Sequence, residues 1–125
     1  MSDPPNRMEG SCHCGGIRFA VHMTNLQALD CNCSICSKKG FLHVIVDKTD
    51  LEVLTGRELL TTYTCNTHTA KHHFCSVCGM HPFYVPRSHP DGVSVNARCL
   101  DVPLARFEIA PFDGQNWEEN VEQIR

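Results

Sequence analysis

No stretch of this 125-residue chain approaches the ~20 consecutive apolar residues that a membrane-crossing helix needs, so the sequence excludes a helical membrane protein. Its opening, "MSDPPNRMEG", lacks the apolar segment of a secretory signal. Residues 1–9 therefore read as a disordered lead-in with two prolines, and the chain as cytoplasmic, or nuclear if its source is eukaryotic. Blocks of Lys or Arg are missing as well, and the formal net charge is −3. A protein that holds nucleic acid by bare electrostatics carries a basic stripe or a high pI, so neither nucleic acid nor membrane is an expected partner. Repeats of solenoid length and low-complexity tracts are absent, which excludes an array. With 42% apolar and 20% charged residues, what remains is a single folded domain over residues 10–125, enough to bury roughly two thirds of the unfolded chain's surface.

Helical periodicity is scarce too. One short helix is predicted at the C-terminus, capped by Asn116, with Glu119 three residues on and Trp117, Val121 and Ile124 at helical spacing. Everything else reads as short strands between turns. "IRFAV" (17–21) alternates, and "LHVIVD" (42–47) is rich in β-branched residues. "LEVLTG" stops at Gly56, while "LLTTYTC" and "TAKHHFC" flank a hairpin loop at "NTH". "HPFYVP", "VSVNARCL" and "RFEIAPF" supply three more. The fold class this predicts is all-β and mainly antiparallel.

Cysteine is what the chain has in excess. Nine are present: Cys12, Cys14, Cys31, Cys33, Cys36, Cys65, Cys75, Cys78 and Cys99. An odd count, no export signal and tight spacings all oppose a disulfide framework. Two cysteines one residue apart rarely satisfy disulfide geometry, yet on a strand they point to the same side and suit one metal ion. Seven of the nine form three clusters: "GSCHCGG", "DCNCSICS" and "HFCSVCGMHPF". The last is C-x-x-C followed by glycine, whose positive φ can turn backbone N–H groups toward the sulfurs of a zinc knuckle.

Counting ligands gives an economical partition. Cys12 and Cys14 with Cys75 and Cys78 complete a closed four-cysteine site, and Cys31, Cys33 and Cys36 remain as three thiolates with an open fourth position. An open position separates catalytic from structural zinc. The spacing leaves alternatives: a pair could join two of the triplet, His13, His72, His73 or His81 could close it, and an iron–sulfur cluster uses similar sets. Cys65 and Cys99 lie in strand-like segments and read as buried, inert thiols.

The segments "GSCHCGGIRF", "DCNCSICSKKG", "HHFCSVCGMHPFYVPRSHPDG" and "VSVNARCLD" together resemble the glutathione-dependent formaldehyde-activating enzyme family, which includes the centromere protein V domain. The resemblance covers roughly residues 10–101. It implies a β-tent of coiled antiparallel sheets, a structural zinc on Cys12, Cys14, Cys75 and Cys78, and a catalytic zinc on Cys31, Cys33 and Cys36. It also implies a carbon–sulfur lyase activity that joins formaldehyde and glutathione into S-hydroxymethylglutathione, or cleaves that adduct.

Glutathione carries two carboxylates and would need cations near the triplet. Lys38 and Lys39 follow it directly, and Arg87 and Arg98 lie in matching segments. His73, Phe74, Phe83 and Tyr84 are candidates for a pocket wall. The chain is shorter than members credited with the glutathione activity and lacks a long basic, proline-rich N-terminal extension of the centromere type. A second reading is a non-catalytic zinc module that binds a protein, favoured by the lack of an evident Asp, Glu or His acid–base pair beside the triplet.

Overall fold

The computed structural model describes residues 7–23, 25–64, 70–86, 88–89, 91–113 and 121. Ten short strands and one helix follow each other as β1 (Arg7–Ser11), β2 (Arg18–His22), β3 (Gln27–Cys31), α1 (Ser34–Lys39), β4 (Leu42–Asp47), β5 (Leu51–Thr55), β6 (Leu60–Tyr63), β7 (Lys71–Cys75), β8 (Phe83–Val85), β9 (Gly92–Asn96) and β10 (Glu108–Phe112). The all-β, mainly antiparallel expectation holds. A three-stranded sheet runs β1-β2-β5, and a seven-stranded sheet runs β10-β3-β4-β9-β8-β7-β6. One pair departs from the pattern: β10 lies parallel to β3, with Phe112 beside Cys31. The two sheets are tied by a bridge from Gly10 to Leu100. The Cys99 carbonyl passes so close to Gly10 that any Cβ there would collide with it.

Several expectations shift by a few residues. β1 begins at Arg7, inside the expected lead-in. "VSVNARCL" is strand only to Asn96, after which Ala97–Cys99 turns as a 3₁₀ helix capped by the Asn96 side chain. The hairpin of β6 and β7 forms in the register Leu60 to Cys75 and Tyr63 to His72, and its loop residues 65–69, with Cys65, lie outside the described residues. So does the predicted C-terminal helix, apart from Val121, which is buried. The helix that is described, α1, was not expected. Its six residues are too few for a 3.6-residue period to register. Cys33 caps its start, and Gly40 ends it at φ 67° with its N–H on the Cys36 carbonyl.

Register decides what each face of the large sheet carries, because directly paired antiparallel residues lie on the same side. Val44 pairs with Val95, Val46 with Val93 and Phe83 with Val95. These residues, with Leu42, meet Ile17, Phe19 and Val21 of the small sheet in the main core. Phe19 is fully buried and meets Phe83 edge to face at 5.7 Å; burying a side chain of that size contributes about 1.5–3 kcal/mol. The opposite face starts at Cys31 and Leu29 and continues through His43 (paired with Leu29), Asn96, Ser94, Tyr84 and His72. It is polar, yet His43, Asn96, Ser94 and His72 are all buried.

Candidate metal centres and the polar row beside one of them

The eight described cysteines are free thiols, and seven of them gather as the ligand count anticipated. The sulfurs of Cys12, Cys14, Cys75 and Cys78 lie within 4.8 Å of one another, and so do those of Cys31, Cys33 and Cys36. Among the described residues no His, Asp or Glu ligand atom joins either group.

In the four-cysteine cluster, Cys14 Sγ is 3.5 Å from Cys12 Sγ and 3.8 Å from Cys75 Sγ. The sulfurs of a tetrahedral zinc site with Zn–S of about 2.3 Å are about 3.8 Å apart, so the cluster has a suitable size. Backbone donors converge on it. Ile17 N–H reaches Cys12 Sγ at 3.3 Å and Gly16 N–H reaches Cys14 Sγ at 3.4 Å. Gly15 and Gly79 supply the positive φ, 79° and 78°, that these two knuckle turns require. Burial alone would push the Cys78 thiol up, but backbone N–H groups of Cys14 and Met80 hold it down at about 6. For Cys14 the balance falls the other way. The Gly16 N–H pulls its thiol down, but the crowding sulfurs of Cys12, Cys75 and Cys78, with burial, push it up to about 11. Sulfurs collected this closely and met by amide donors suit a cation that takes them all as thiolates. Cys12 and Cys75 belong to the main core, so this cluster pins the start of the small sheet to the end of β7.

The triplet sits on the other face. Cys31 ends β3, Cys33 caps α1 and Cys36 lies in its first turn, packed with Phe112, Leu29 and Ile35. Three sulfurs in contact cannot ionise independently. Cys33 keeps the negative charge: hydrogen bonds from Cys31 and then Cys36, with the Cys36 and Ile35 amides, hold its thiol down at about 2. Cys31 is raised chiefly by Cys33, and Cys36 is raised by both neighbours and by burial. This donor set also fits a thiophilic cation such as zinc, with three protein ligands among the described residues.

Beside the triplet lies the polar row, whose His43, Ser94 and Asn96 the sequence did not single out. Tyr84 is buried, and its phenol is held well above the usual value by burial and then by the sulfurs of Cys36, Cys31 and Cys33. His72 stacks flat on Tyr84, with ring centroids 4.8 Å apart. Lys39 Nζ donates to His72 Nδ1 at 3.1 Å and stands 4.9 Å from the ring centres of both Phe41 and Tyr84. His43 Nδ1 lies 3.0 Å from Ser94 Oγ and 3.3 Å from Tyr84 Oη. Its Nε2 is shielded from solvent and has no hydrogen-bond partner among the described residues, which costs about 1–3 kcal/mol. Burial, then the Lys39 charge, lowers His43 and His72 to about 4, so both are neutral at pH 7. The pattern was present in "LHVIV" and "VSVN", where His43, Ser94 and Asn96 alternate with core residues. Sequence could not say that this second face is covered as well.

The other expected residues are scattered. Arg98 Nε donates to the Gly40 carbonyl at 3.0 Å, gripping the end of α1, and Lys38 is exposed. Arg87 lies outside the described residues. His73 bonds Thr62 and meets Phe83 on the core side, while Phe74 packs on His81. Of the four expected wall residues, only Tyr84 lies in the polar row. His13 is exposed. Cys99 is buried, which pushes its thiol up to about 12, in keeping with an inert role.

The family model described as glutathione-dependent formaldehyde-activating enzyme matches residues 7–119. The chain belongs to that family. A Halomonas elongata protein, named as a glutathione-dependent formaldehyde-activating enzyme with the assignment marked provisional, is 32% identical over 108 residues, spanning 79% of this chain and 69% of that protein. A crystal structure of a Rhodobacter sphaeroides protein, a structural genomics target, superposes with a TM-score of 0.75 at 37% identity, covering 83% of this chain and 98% of that one. No helix among the described residues is long and apolar enough to cross a membrane.

Proposed function

We propose that the chain is a zinc-dependent carbon–sulfur lyase that joins glutathione and formaldehyde into S-hydroxymethylglutathione, or cleaves that adduct. The observation that carries this reading is the triplet: three sulfurs within 4.8 Å, joined by no further ligand atom of the described residues, beside a buried row of neutral hydrogen-bonding groups. Cys12, Cys14, Cys75 and Cys78 would hold a structural zinc, and Cys31, Cys33 and Cys36 a second, catalytic one. A zinc ion held by these three cysteines would supply the acidity that keeps a glutathione thiol as its reactive thiolate at neutral pH. The sulfur adds to the aldehyde carbon, the carbonyl pair moves to oxygen, and that oxygen takes up a proton equivalent to the one the thiol released.

Lys39, fixed between Phe41, Tyr84 and His72, would receive a glutathione carboxylate, with Arg98 at the end of α1 and Arg87 as further candidates. The alternative, a non-catalytic zinc module, draws support from the lack of an acid–base pair beside the triplet, and the buried hydrogen-bonding groups of the polar row count against it. The test is exchange NMR with formaldehyde and glutathione, together with zinc content. Acceleration over buffer at two zinc ions per chain is the expected result. No acceleration at full zinc occupancy would return the non-catalytic reading.

A further inference from the structure

The polar row contains one atom that the reading above leaves without a task. His43 is 5% exposed, and its Nε2 has no partner among the described residues. Its ring rises from the face that bears Cys31 and Tyr84, close enough to the triplet for the charge of Cys33 to act on it. Two buried hydroxyl oxygens, Ser94 Oγ and Tyr84 Oη, lie 3.0 Å and 3.3 Å from Nδ1. If Nδ1 carried the proton, both hydroxyls would lose it as an acceptor. With Nδ1 accepting, the one ring proton of a neutral imidazole resides on Nε2. In that tautomer an N–H donor is held at Nε2, where bulk water does not compete.

We infer that His43 is a catalytic hydrogen-bond donor: its Nε2–H receives the oxygen of the aldehyde, which becomes the hydroxyl of the adduct, and Ser94 is the positioning residue that fixes the ring. This rests on the lyase reading of the triplet. As the carbon–sulfur bond forms, the carbonyl pair moves onto an oxygen already held by Nε2–H. His43 keeps its proton throughout, and the oxygen takes its own from solvent, balancing the proton the thiol gave up. A donor preorganised in a dry site stabilises such a developing oxyanion far more than an exposed one does. In the reverse direction the same bond holds the adduct's oxygen as the carbon–sulfur bond breaks.

Two conservative substitutions separate this role from a merely structural one. The amide nitrogen of His43→Gln overlays Nε2, and that of His43→Asn overlays Nδ1. A donor role predicts that His43→Asn loses about 100-fold in kcat, on the scale of a lost oxyanion-hole donor, while His43→Gln loses markedly less, with KM for glutathione and zinc content unchanged in both. If His43 served only to hold Ser94, the order would reverse, because the Asn amide still reaches Ser94, now donating to its Oγ, and the Gln amide does not. Ser94→Ala should lower kcat in the wild-type background and have no further effect beside His43→Gln. Equal activity of all variants at full zinc occupancy overturns the inference while leaving the lyase reading intact. A wild-type protein that never accelerates the reaction defeats the lyase reading itself.

Discussion

The two cysteine clusters occupy opposite faces of one sheet. Cys75 lies on the core face and belongs to the same buried cluster as Cys12, Ile17 and the valines of β4 and β9. Cys31 leaves the other, where its neighbours are α1, Phe112 and the row from His43 to His72. Sulfur chemistry is similar in both, and both receive backbone N–H groups. They differ in how many sulfurs they bring and in what surrounds them. On the proposed reading, four sulfurs would fill a tetrahedral metal and leave it only a crosslinking role. Three sulfurs beside neutral donors and one ammonium would, on the same reading, leave it a coordination position and polar company.

The sharpest way to break this comparison is to remove one sulfur from each side. Cys75→Ser should abolish cooperative folding, since the site joins both sheets and a structural zinc supplies on the order of 10 kcal/mol. Cys33→Ser should keep a cooperative thermal transition and lose one zinc of two. Circular dichroism melts with metal analysis read both. Equal collapse of the two variants would make the triplet a second structural staple.

A smaller effect sharpens the description of the polar face. His43 and His72 are held neutral, with folded values near 4 against about 6.5 in an unfolded chain. Below pH 6.5 the unfolded state binds more protons than the folded one, so stability falls with pH. The contribution is fully present above about 6.5 and is lost progressively down to the folded value. Between pH 6.5 and 5 that amounts to roughly 2 kcal/mol for each histidine. Urea midpoints measured across this window, with zinc content followed in parallel, should show the decline, and His72→Phe should make it shallower. An unchanged slope in that variant would mean His72 protonates freely in the folded protein.

Much of this contrast could be read from the sequence, and the part that could not has a physical cause. C-x-C, C-x-x-C-G and the triplet announce themselves, because a metal demands short spacings and glycine at a positive φ. Core-facing valines announce themselves through alternation. His43 and Ser94 alternate with those valines too, but the usual inference from alternation is that the second face meets water. Here residues of both faces are buried, and at the Cys31 end of the second face that burial comes with α1 and with Phe112, which β10 brings in from 81 positions beyond Cys31. Such long-range parallel pairing leaves no local mark. Helix α1 itself is one and a half turns long, and its start is marked by a cysteine at a position where Ser, Thr, Asp and Asn are the familiar signals.

Lys39 makes the finest test of the division. Its ammonium is held by two ring faces and the His72 nitrogen, a costly restraint for a flexible cation unless its position matters. If it receives a glutathione carboxylate, Lys39→Met raises KM for glutathione about tenfold, equivalent to about 1.4 kcal/mol, with kcat and zinc content close to wild type. If its charge instead offsets the thiolates of the triplet, the same variant loses the second zinc more readily to a chelator and KM moves little. Steady-state kinetics and a chelator titration on one protein distinguish the two. Neither change should touch the four-cysteine site, because that cluster faces away from Lys39 across the sheet; loss of both zinc ions together would mean that the two faces are not independent.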